Sequence, residues 1–335
     1  MHGHGKSDGR VVPEKPPNKG RTAPAEVVEG RRPAKGNAQQ PAAPRTQSRI
    51  SAPLGLLGVQ EAARRNRRAK FTALLHHVTP ELLQESFYAL KRAAAAGVDG
   101  VTWKEYEVGL EARIQSLHRR VHVGTYRAQP SRRTWIPKAD GRLRPLGIAA
   151  LEDKIVQQAV SQVLSAVYEA DFKGFSYGFR PHRSQHDALD ALFVGIMGKY
   201  VNWVLDADIR GFFDSISHEW MLRFLEYRAA DRRILRLVRK WLKAGITEDG
   251  KWSETNVGTP QGAVISPLLA NVFLHYVLDL WVEHWRKTKA EGDIIIVRYA
   301  DDLNVSEEVH LELKLARVHA GPPFLEVGDG GEGRD

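Results

Sequence analysis

The chain has 335 residues, of which 42% are hydrophobic and 27% charged, a composition typical of a globular protein large enough to bury one or two cores. It contains no cysteine, which excludes disulfides and cysteine-ligated zinc and favours a reducing compartment, so we expect a cytoplasmic protein. The formal net charge is +9, and residues 1–70 hold 15 Lys and Arg against 5 Asp and Glu, which fits either a polyanionic partner or a solubilising tail.

Residues 1–60 are predicted to form a disordered, basic arm. The first 50 residues are rich in Pro, Gly, Ala and basic side chains, and they offer too little apolar surface to offset the entropy lost on ordering. The polar start Met1–Arg10 lacks the apolar centre of a secretory signal. Ordered structure is expected from about Glu61, in a helix over 61–77 that opens with a basic cluster made of Arg64, Arg65, Arg67, Arg68 and Lys70.

Residues 61–200 are predicted to be mainly helical, with one hairpin. Thr79 as a cap and Pro80 at the first helical position indicate the start of a second helix. Two strand-like segments flank the turn residues Asp140 and Gly141 and predict a β-hairpin over 132–148. The predicted helices of this region, of which the third is clearly amphipathic, are 80–96, 106–121, 152–167 and 185–197.

Residues 200–305 are predicted to mix strands with helices. The segment 200–209 alternates as a strand should, with Asp206 and Asp208 on the same face. A second apolar strand, 294–299, ends in Ala300-Asp301-Asp302, and a short strand follows it. The predicted helices are 218–227, 231–243 and a long one from Pro267. The longest apolar stretch, 262–282, contains Pro267, Asn271, His275 and Asp279, so we expect no membrane span.

Two apolar strands therefore end in acidic residues. A carboxylate at the end of a buried strand is costly unless a charge neutralises it, and a divalent cation does so well. Carboxylates on neighbouring strands can hold two Mg²⁺ ions about 3.5–4 Å apart for phosphoryl transfer. Taken singly, each aspartate fits a simple turn cap at least as well. The adjacent pair Asp301 and Asp302 favours a cation, because two like charges at one hairpin tip repel.

Several segments, in order, resemble the motifs of the reverse transcriptases encoded by group II introns. The resemblance covers about 70–305, and its specificity lies in the joint order and spacing of the motifs. The matching segments are Gly97–Thr102 (GVDGVT), Arg144–Ile148 (RPLGI), Phe175–Pro181 (FSYGFRP), Leu205–Asp214 (LDADIRGFFD), Gly258–Asn271 (GTPQGAVISPLLAN) and Tyr299–Asp302 (YADD).

The resemblance implies an α+β fold, the fingers and palm of a right-hand polymerase, with an antiparallel palm sheet packed on helices. It divides the chain into the arm, 1–60, an N-terminal extension with fingers, 61–200, and a palm with the YADD hairpin, 201–305. After Val305 the sequence departs from the family and becomes acidic and glycine-rich. We therefore expect 306–335 to be a divergent, aberrant tail, and we hypothesise a truncated or frameshifted reading frame that lacks the thumb.

The metal ligands that the resemblance implies are the carboxylates of Asp208, Asp301 and Asp302, together with the backbone carbonyl of Ile209. These groups would hold two Mg²⁺ ions. Asp206 faces the same side of its strand and competes with Asp208 for the role. Asp208 is preferred because the aromatic residue that the family carries five positions later is present.

That aromatic residue is Phe213, which the resemblance places beneath the sugar of the incoming nucleotide, where it would clash with a ribose 2′-hydroxyl and so select dNTPs. Phe212 either shares this task or belongs to the core. Gln261 matches the residue that helps to place the nucleotide. Lys138 and Arg144 match the fingers cations that hold the triphosphate.

The function implied is RNA-directed DNA polymerisation, in which a primer is extended on a template of intron RNA from dNTPs, with impaired activity if the thumb is missing. The partners expected are therefore the intron RNA, a DNA primer and dNTPs, and no membrane. The basic face of the helix over 231–243 is either solvated or in contact with RNA backbone. Two alternatives remain: a non-catalytic RNA-binding splicing cofactor, and a reverse transcriptase of another lineage, such as a retron or defence type.

Overall fold

In the computed structural model, helices pack on two β-sheets. The structure describes residues 54–137, 141, 143–199, 201, 203–209, 211–259, 262–290 and 293–307. Most of the predicted arm, all of the tail beyond residue 307, and the side chains of Lys138 and Gln261 lie outside the described residues. No described helix combines the length and apolar character that crossing a membrane requires.

The N-terminal half begins with four helices, and their ends differ from the predictions. The helices are α1 (Leu54–Arg65), α2 (Pro80–Ala89), α3 (Trp103–Glu107) and α4 (Leu110–Val123). α1 starts earlier than predicted and stops at Arg65, because the Asn66 side chain accepts a hydrogen bond from the Arg68 N–H and competes with helix continuation. Phe71 then pairs with Ala229 as an isolated bridge, which a helix over 61–77 would prevent.

Two further boundary predictions were wrong for local reasons. Thr79 caps α2 as predicted, through a hydrogen bond from the Leu82 N–H, but the helix ends at Ala89 instead of residue 96. After Ala89 the backbone is extended at Leu90, whose N–H donates to the Phe87 carbonyl instead of continuing the helical hydrogen-bond pattern. The predicted helix over 106–121 is two helices, because Gly109 adopts a left-handed conformation at φ +72° between them.

The first sheet contains four strands in the order β2-β1-β4-β5. β1 (Ser131–Pro137) and β2 (Leu143–Ile148) form the predicted antiparallel hairpin. β4 (Ile246–Glu248) joins β1 in parallel, and β5 (Lys251–Ser253) pairs antiparallel with β4. β4 and β5 were not predicted from the sequence, because three-residue strands are too short to show alternation.

The second sheet contains three antiparallel strands in the order β3-β7-β6. β3 (Trp203–Asp208), β6 (Ile294–Tyr299) and β7 (Asp302–Glu307) lie where the sequence predicted strands. The outer edge of β6 is covered by the segment around Ser176, whose neighbours exchange backbone hydrogen bonds with Arg298. On the described part of the chain, β3 pairs with β7 alone.

The main core surrounds α5 (Leu151–Tyr168), the amphipathic helix predicted over 152–167. Ile155, Val156, Val160 and Val163 on this helix are fully buried, and α5 contacts α1, α2 and α10. The remaining helices are α6 (Gln185–Gly198), α7 (Phe212–Ser215), α8 (His218–Glu226), α9 (Arg232–Leu242), α10 (Ser266–Leu274), a π-helical turn (His275–Asp279) and α11 (Leu280–Thr288). Helices packed on an antiparallel sheet confirm the predicted α+β class.

Candidate active site

The pairing of β3 with β7 brings the predicted carboxylates together. Asp208, the last residue of β3, lies directly opposite Asp302, the first residue of β7. Residues directly opposite in an antiparallel ladder have Cα atoms about 4.5–5.5 Å apart, so these two side chains start from neighbouring positions. Asp301 precedes Asp302 in the turn. Three carboxylates separated by up to 94 residues in sequence therefore meet at one end of the sheet.

The register also separates Asp208 from its competitor. Asp206 lies opposite Asn304, two residues further from the turn, on the same face of β3. Burial, and then the charges of Asp301, Asp208 and Asp206, raise the pKa of Asp302 above its usual value. Negative charge is therefore concentrated at the turn, and Asp208 lies two residues closer to the turn than Asp206 does.

This concentration of negative charge favours the binding of a cation, although the carboxylates alone do not complete a metal site. Among the described residues, no group of three acidic or histidine side chains is arranged closely enough to hold a metal ion. Mg²⁺ usually keeps several water ligands and is held by one or two carboxylates together with substrate phosphates. The Ile209 carbonyl accepts the Phe212 N–H at 3.3 Å and retains a second lone pair. The donor set is thus suited to Mg²⁺ that arrives with a nucleotide.

The turn between β6 and β7 is a two-residue connection. Tyr299 pairs with Asp302, and the loop residues are Ala300 and Asp301. Ala300 has φ +59°, a left-handed conformation that glycine usually supplies in such hairpins. A non-glycine residue in this region is strained and persists only when its surroundings hold it.

Arg298 provides that support from beneath the turn. Its side chain is fully buried, and its Nη1 donates to the Ala300 carbonyl at 2.7 Å. Nε and Nη2 bind the two carboxylate oxygens of Asp279, both at 2.7 Å. Ser176 Oγ accepts from Nη2 at 2.7 Å, and Asn271 Oδ1 accepts from Nη1 at 3.2 Å. All five N–H donors of the guanidinium are therefore used, and the side chain is fixed in one orientation.

The π-helical turn His275–Asp279 allows one helix to supply two of these partners. On an ideal α-helix, residues eight positions apart, such as Asn271 and Asp279, point about 80° apart. The wider turn of a π-helix reduces this angle. Both side chains consequently reach Arg298. π-Helical turns are frequent near functional sites, and this one lies directly behind the candidate carboxylates.

The segment Phe175–Pro181 packs against the back of the same turn. The Tyr177 N–H donates to the Arg298 carbonyl and the Arg298 N–H donates to the Phe175 carbonyl, both at 2.8 Å. The Gly178 carbonyl accepts from Asn271 Nδ2 at 2.8 Å. A Cβ atom at Gly178 would lie only 2.2 Å from the Ala300 nitrogen. Glycine is therefore required at position 178 for the segment to touch the turn.

Gly258 and Thr259 lie next to Phe213, and Gly262 lies next to β2. The Thr259 N–H donates to the Phe213 carbonyl at 2.8 Å, and a Cβ atom at Gly258 would lie 2.9 Å from the same oxygen. At the other end of the loop, Gly262 has φ +100°, and a Cβ atom there would lie 3.1 Å from the Gly147 carbonyl of β2. The segments that carry the candidate nucleotide-binding residues are thus in direct backbone contact.

The individual nucleotide-binding candidates occupy different environments. Phe212 is 5% exposed and contacts Phe273 in the core, whereas Phe213 is half-buried. Arg144 is exposed on β2, opposite Ile136. Gln261 and Lys138 lie outside the described residues. The structure thus separates the two phenylalanines, which the sequence had left as alternatives, and assigns Phe212 to the core.

The buried group around Arg298 was not predicted from the sequence. Asp279 was noted only as an interruption of an apolar stretch, Asn271 also as the end of a family motif, and Arg298 as part of an apolar strand. A signal was present, because an arginine is almost never fully buried without a partner. Arg298 inside the apolar strand 294–299 therefore required an acidic residue elsewhere in the chain, and Asp279 was one of the available candidates.

Comparison with known proteins agrees with this geometry. A family model described as "Reverse transcriptase (RNA-dependent DNA polymerase)" matches residues 136–318, more than half of the chain. The chain is 37% identical to "Protein YkfC" of Escherichia coli (strain K12) over 227 residues, which are 66% of this chain and 60% of that protein. It is 34% identical to the "Group II intron-encoded protein LtrA" of Lactococcus lactis subsp. cremoris over 224 residues, which are 65% of this chain and 37% of LtrA.

A third relative comes from a eukaryote. The "Uncharacterized 91 kDa protein in cob intron" of Schizosaccharomyces pombe is 43% identical over 190 residues, which are 56% of this chain and 22% of that protein. The match therefore spans less than two thirds of the length of each of these relatives.

Proposed function

This chain belongs to the reverse transcriptase family, among the group II intron-encoded reverse transcriptases and maturases, and we propose that it is an RNA-directed DNA polymerase that extends a DNA primer on an intron RNA template. The observation that carries the proposal is the register of β3 and β7. It sets Asp208 opposite Asp302 and next to the turn residue Asp301. A family match alone would not require these carboxylates to meet.

In the proposed reaction, Asp208, Asp301 and Asp302 would hold two Mg²⁺ ions with help from the Ile209 carbonyl. Bound Mg²⁺ would supply Lewis-acid stabilisation to the attacking 3′-hydroxyl and to the departing pyrophosphate. The protein contributes a fixed arrangement of negative charge, because the Arg298 group holds the turn that carries Asp301. No general base of unusual pKa is needed for this chemistry.

We further propose that the loop beginning at Gly258 and the strand β2 form the nucleotide pocket. Phe213 would lie beneath the sugar and exclude a 2′-hydroxyl, and Gln261 would help to place the nucleotide. Lys138 and Arg144 would offset the negative charge of the triphosphate. The contacts of Gly258 with Phe213 and of Gly262 with Gly147 support this assignment, since they join the segments involved. Residues 61–200 would then be the N-terminal extension and fingers, and 201–305 the palm.

Primer extension on an RNA template tests the proposal. A labelled DNA primer annealed to RNA should be extended in the presence of Mg²⁺ and dNTPs, and Asp301→Asn should reduce extension to background. The matched control is Asp249→Asn, which changes an exposed aspartate at φ +49° in the β4–β5 turn, a conformation that asparagine also tolerates. Extension by Asp301→Asn at the level of Asp249→Asn would contradict the proposal, as would an inactive parent chain.

A second function, RNA binding without polymerisation, is favoured by the charge of the N-terminal region. Residues 1–70 carry ten more basic than acidic side chains, and all of them lie before the matched reverse transcriptase segment. A chain that binds intron RNA but extends no primer would be a splicing cofactor. Filter binding of the RNA alongside the extension assay separates the two functions.

A further inference from the structure

A second recess lies apart from the paired carboxylates. It has a volume of about 390 Å³, within the range of small-ligand pockets, and it opens between the segment after α1, the end of α5, the end of α8 and the π-helical turn. None of Asp208, Asp301 and Asp302 lines it. We refer to this recess as the arginine cleft, after Arg67, Arg68 and Arg228 in its wall.

The arginine cleft carries an excess of positive charge. Arg67, Arg68 and Lys70 lie exposed at its rim, and Arg67 is near enough to Asp171 to act on the pKa of that carboxyl. Asp171 is the acidic side chain of the lining. Burial raises the pKa of Asp171 to about 6, with Arg228 and Arg67 acting in the opposite direction. The charged form of Asp171 is therefore less favourable here than in water. The recess therefore attracts anions.

Arg228 places unsatisfied donors at the base of the cleft. It is 2% exposed, and its Nη2 donates to the Ala63 carbonyl at 3.2 Å. Its Nη1 lies 3.3 Å from an Asp171 oxygen, but neither Nη1 nor Nε has a hydrogen-bond partner in the described part of the chain. Buried polar groups are nearly always hydrogen-bonded, and a guanidinium that is ion-paired but has two nitrogens without a hydrogen bond among the described residues matches the geometry of a phosphate.

Tyrosines form a second, apolar part of the wall. Tyr227 is 37% exposed and lies beside Tyr276, with ring centroids 5.2 Å apart. Burial raises the pKa of Tyr276, so its ring stays neutral at ordinary pH. An exposed aromatic ring next to cations is the combination that proteins use to stack a base while binding its phosphate.

We propose that the arginine cleft binds a nucleotide unit, with the phosphate at Arg228 and the rim cations and the base against Tyr227. The volume, the unpaired donors and the aromatic wall each match one part of such a ligand. A phosphate alone would leave Tyr227 unused, and an apolar ligand would leave the Arg228 donors unpaired. The ligand is either a free nucleotide or one residue of a single strand, and both share the chemistry described here.

Binding is tested on the full chain without Mg²⁺, so that the carboxylate site contributes little. Calorimetry measures the binding of three probes, which are AMP, a ten-nucleotide oligoadenylate and inorganic phosphate. Tyr227→Ala should weaken oligoadenylate binding about tenfold, as expected for the loss of one stacked base. Arg67→Ala/Arg68→Ala should weaken it by a similar factor and reduce the salt dependence by about 1.4 in log–log slope.

Two control variants remove the same groups from elsewhere on the surface. Tyr88→Ala removes an exposed tyrosine of α2, and Lys104→Ala/Arg119→Ala removes two exposed cations of α3 and α4. Both should bind as the parent chain does. Circular dichroism melting of every variant separates lost binding from lost folding.

The outcomes decide between the sources of the ligand and test the cleft itself. Equal affinity for AMP and oligoadenylate supports a free nucleotide, and binding of oligoadenylate alone supports a strand. The inference is overturned if the cleft variants bind like their controls, or if inorganic phosphate binds as tightly as either nucleotide probe. Asp301→Asn should leave binding unchanged, so the cleft can be verified even if the chain proves unable to polymerise. Loss of binding in that variant would assign the signal to the carboxylate site and reject the cleft.

Discussion

Phe212 and Phe213 are neighbours in sequence but lie in different surroundings. Phe212 is buried in the core beside Phe273, whereas Phe213 is half-buried next to Thr259. Phe212→Ala should lower the free energy of unfolding by about 3–5 kcal/mol, because it leaves a cavity. Phe213→Ala should instead raise the use of ribonucleotides roughly tenfold relative to dNTPs, as expected for the loss of a steric contact in a pocket.

Urea denaturation and primer extension with matched rNTPs and dNTPs measure the two effects. Each variant serves as the control for the other, since both remove one phenyl ring and the two positions are adjacent in the chain. If Phe213→Ala discriminates against ribonucleotides as strongly as the parent chain, the proposed position of the sugar is wrong.

Asp231 is the residue from which we expect the clearest pH dependence of stability. It caps α9, and its carboxylate accepts the N–H groups of Leu74 and Leu75 at 2.8 and 2.9 Å and that of Arg233 at 2.9 Å. Burial acts to raise the pKa of Asp231, but the hydrogen bonds from Arg233, Leu75 and Leu74 outweigh it and lower the pKa to about 2. The folded state therefore binds this proton less readily than the unfolded state, whose carboxyl has a pKa of about 3.9.

The contribution of Asp231 is present above about pH 4 and is lost as the pH falls toward 2. We expect the difference in unfolding free energy between the parent chain and Asp231→Ala to shrink by about 2 kcal/mol over this interval. Urea titrations at several pH values measure it, with Asp190→Ala on the exposed side of α6 as the control. A difference that does not change with pH would show that the carboxylate acts only as a neutral cap.

At the scale of elements, the pair of Arg298 and Asp279 joins the helix behind the palm sheet to the hairpin turn. Asp279→Ala should destabilise the fold by about 3–5 kcal/mol, because it leaves a buried guanidinium without its counter-ion. The double variant Arg298→Met/Asp279→Ala should recover much of this loss, since an apolar side chain needs no counter-ion. Its primer extension should stay low, because the Ala300 carbonyl no longer has its donor.

Thermal melting and primer extension on the same three proteins test this expectation. Recovery of both stability and activity in the double variant would mean that the turn holds its shape without Arg298. Failure to recover stability would instead mean that the hydrogen bonds to Ser176 and Asn271 contribute more than the ion pair.

The elements also show why sequence patterns located the strands better than the helix ends. Short apolar runs in the sequence predicted β3, β6 and β7. The resemblance to family motifs predicted the carboxylates at the ends of these strands. The end of α2 depends on the extended backbone of Leu90, whose N–H donates to the Phe87 carbonyl. The break between α3 and α4 depends on the conformation of a single glycine. Local backbone conformations, which apolar periodicity does not encode, decide such details.

At the scale of the whole molecule, the basic arm should govern how strongly nucleic-acid binding depends on salt. Residues 1–50 hold ten Lys and Arg against four Asp and Glu. Removing these residues should lower the slope of log affinity against log salt by roughly 3.5, if about half of the basic groups contact phosphates. Fluorescence anisotropy with a labelled intron RNA at several salt concentrations measures the slope. An unchanged slope would favour the alternative interpretation of the arm as a solubilising tail.

The sequence also predicted the fold class of the whole molecule and the family to which it belongs. Both conclusions came from the joint order of several motifs, because composition and charge alone fit many classes of protein. The parallel contact between β1 and β4 was beyond prediction, since it joins segments more than 100 residues apart through strands of minimal length.

In the part of the chain that the structure describes, the three-stranded sheet β3-β7-β6 is covered along its β6 edge. The outer edge of β6 is covered by the segment around Ser176, whereas the backbone of β3 faces outward among the described residues, with Trp203 and Val204 half exposed. Any strand that extends this sheet must therefore dock along β3, whether it comes from the same chain or from another. A strand added along β3 would end beside Asp208, so its addition would change access to the carboxylates. At high protein concentration, the same unprotected backbone is the place where self-association should begin.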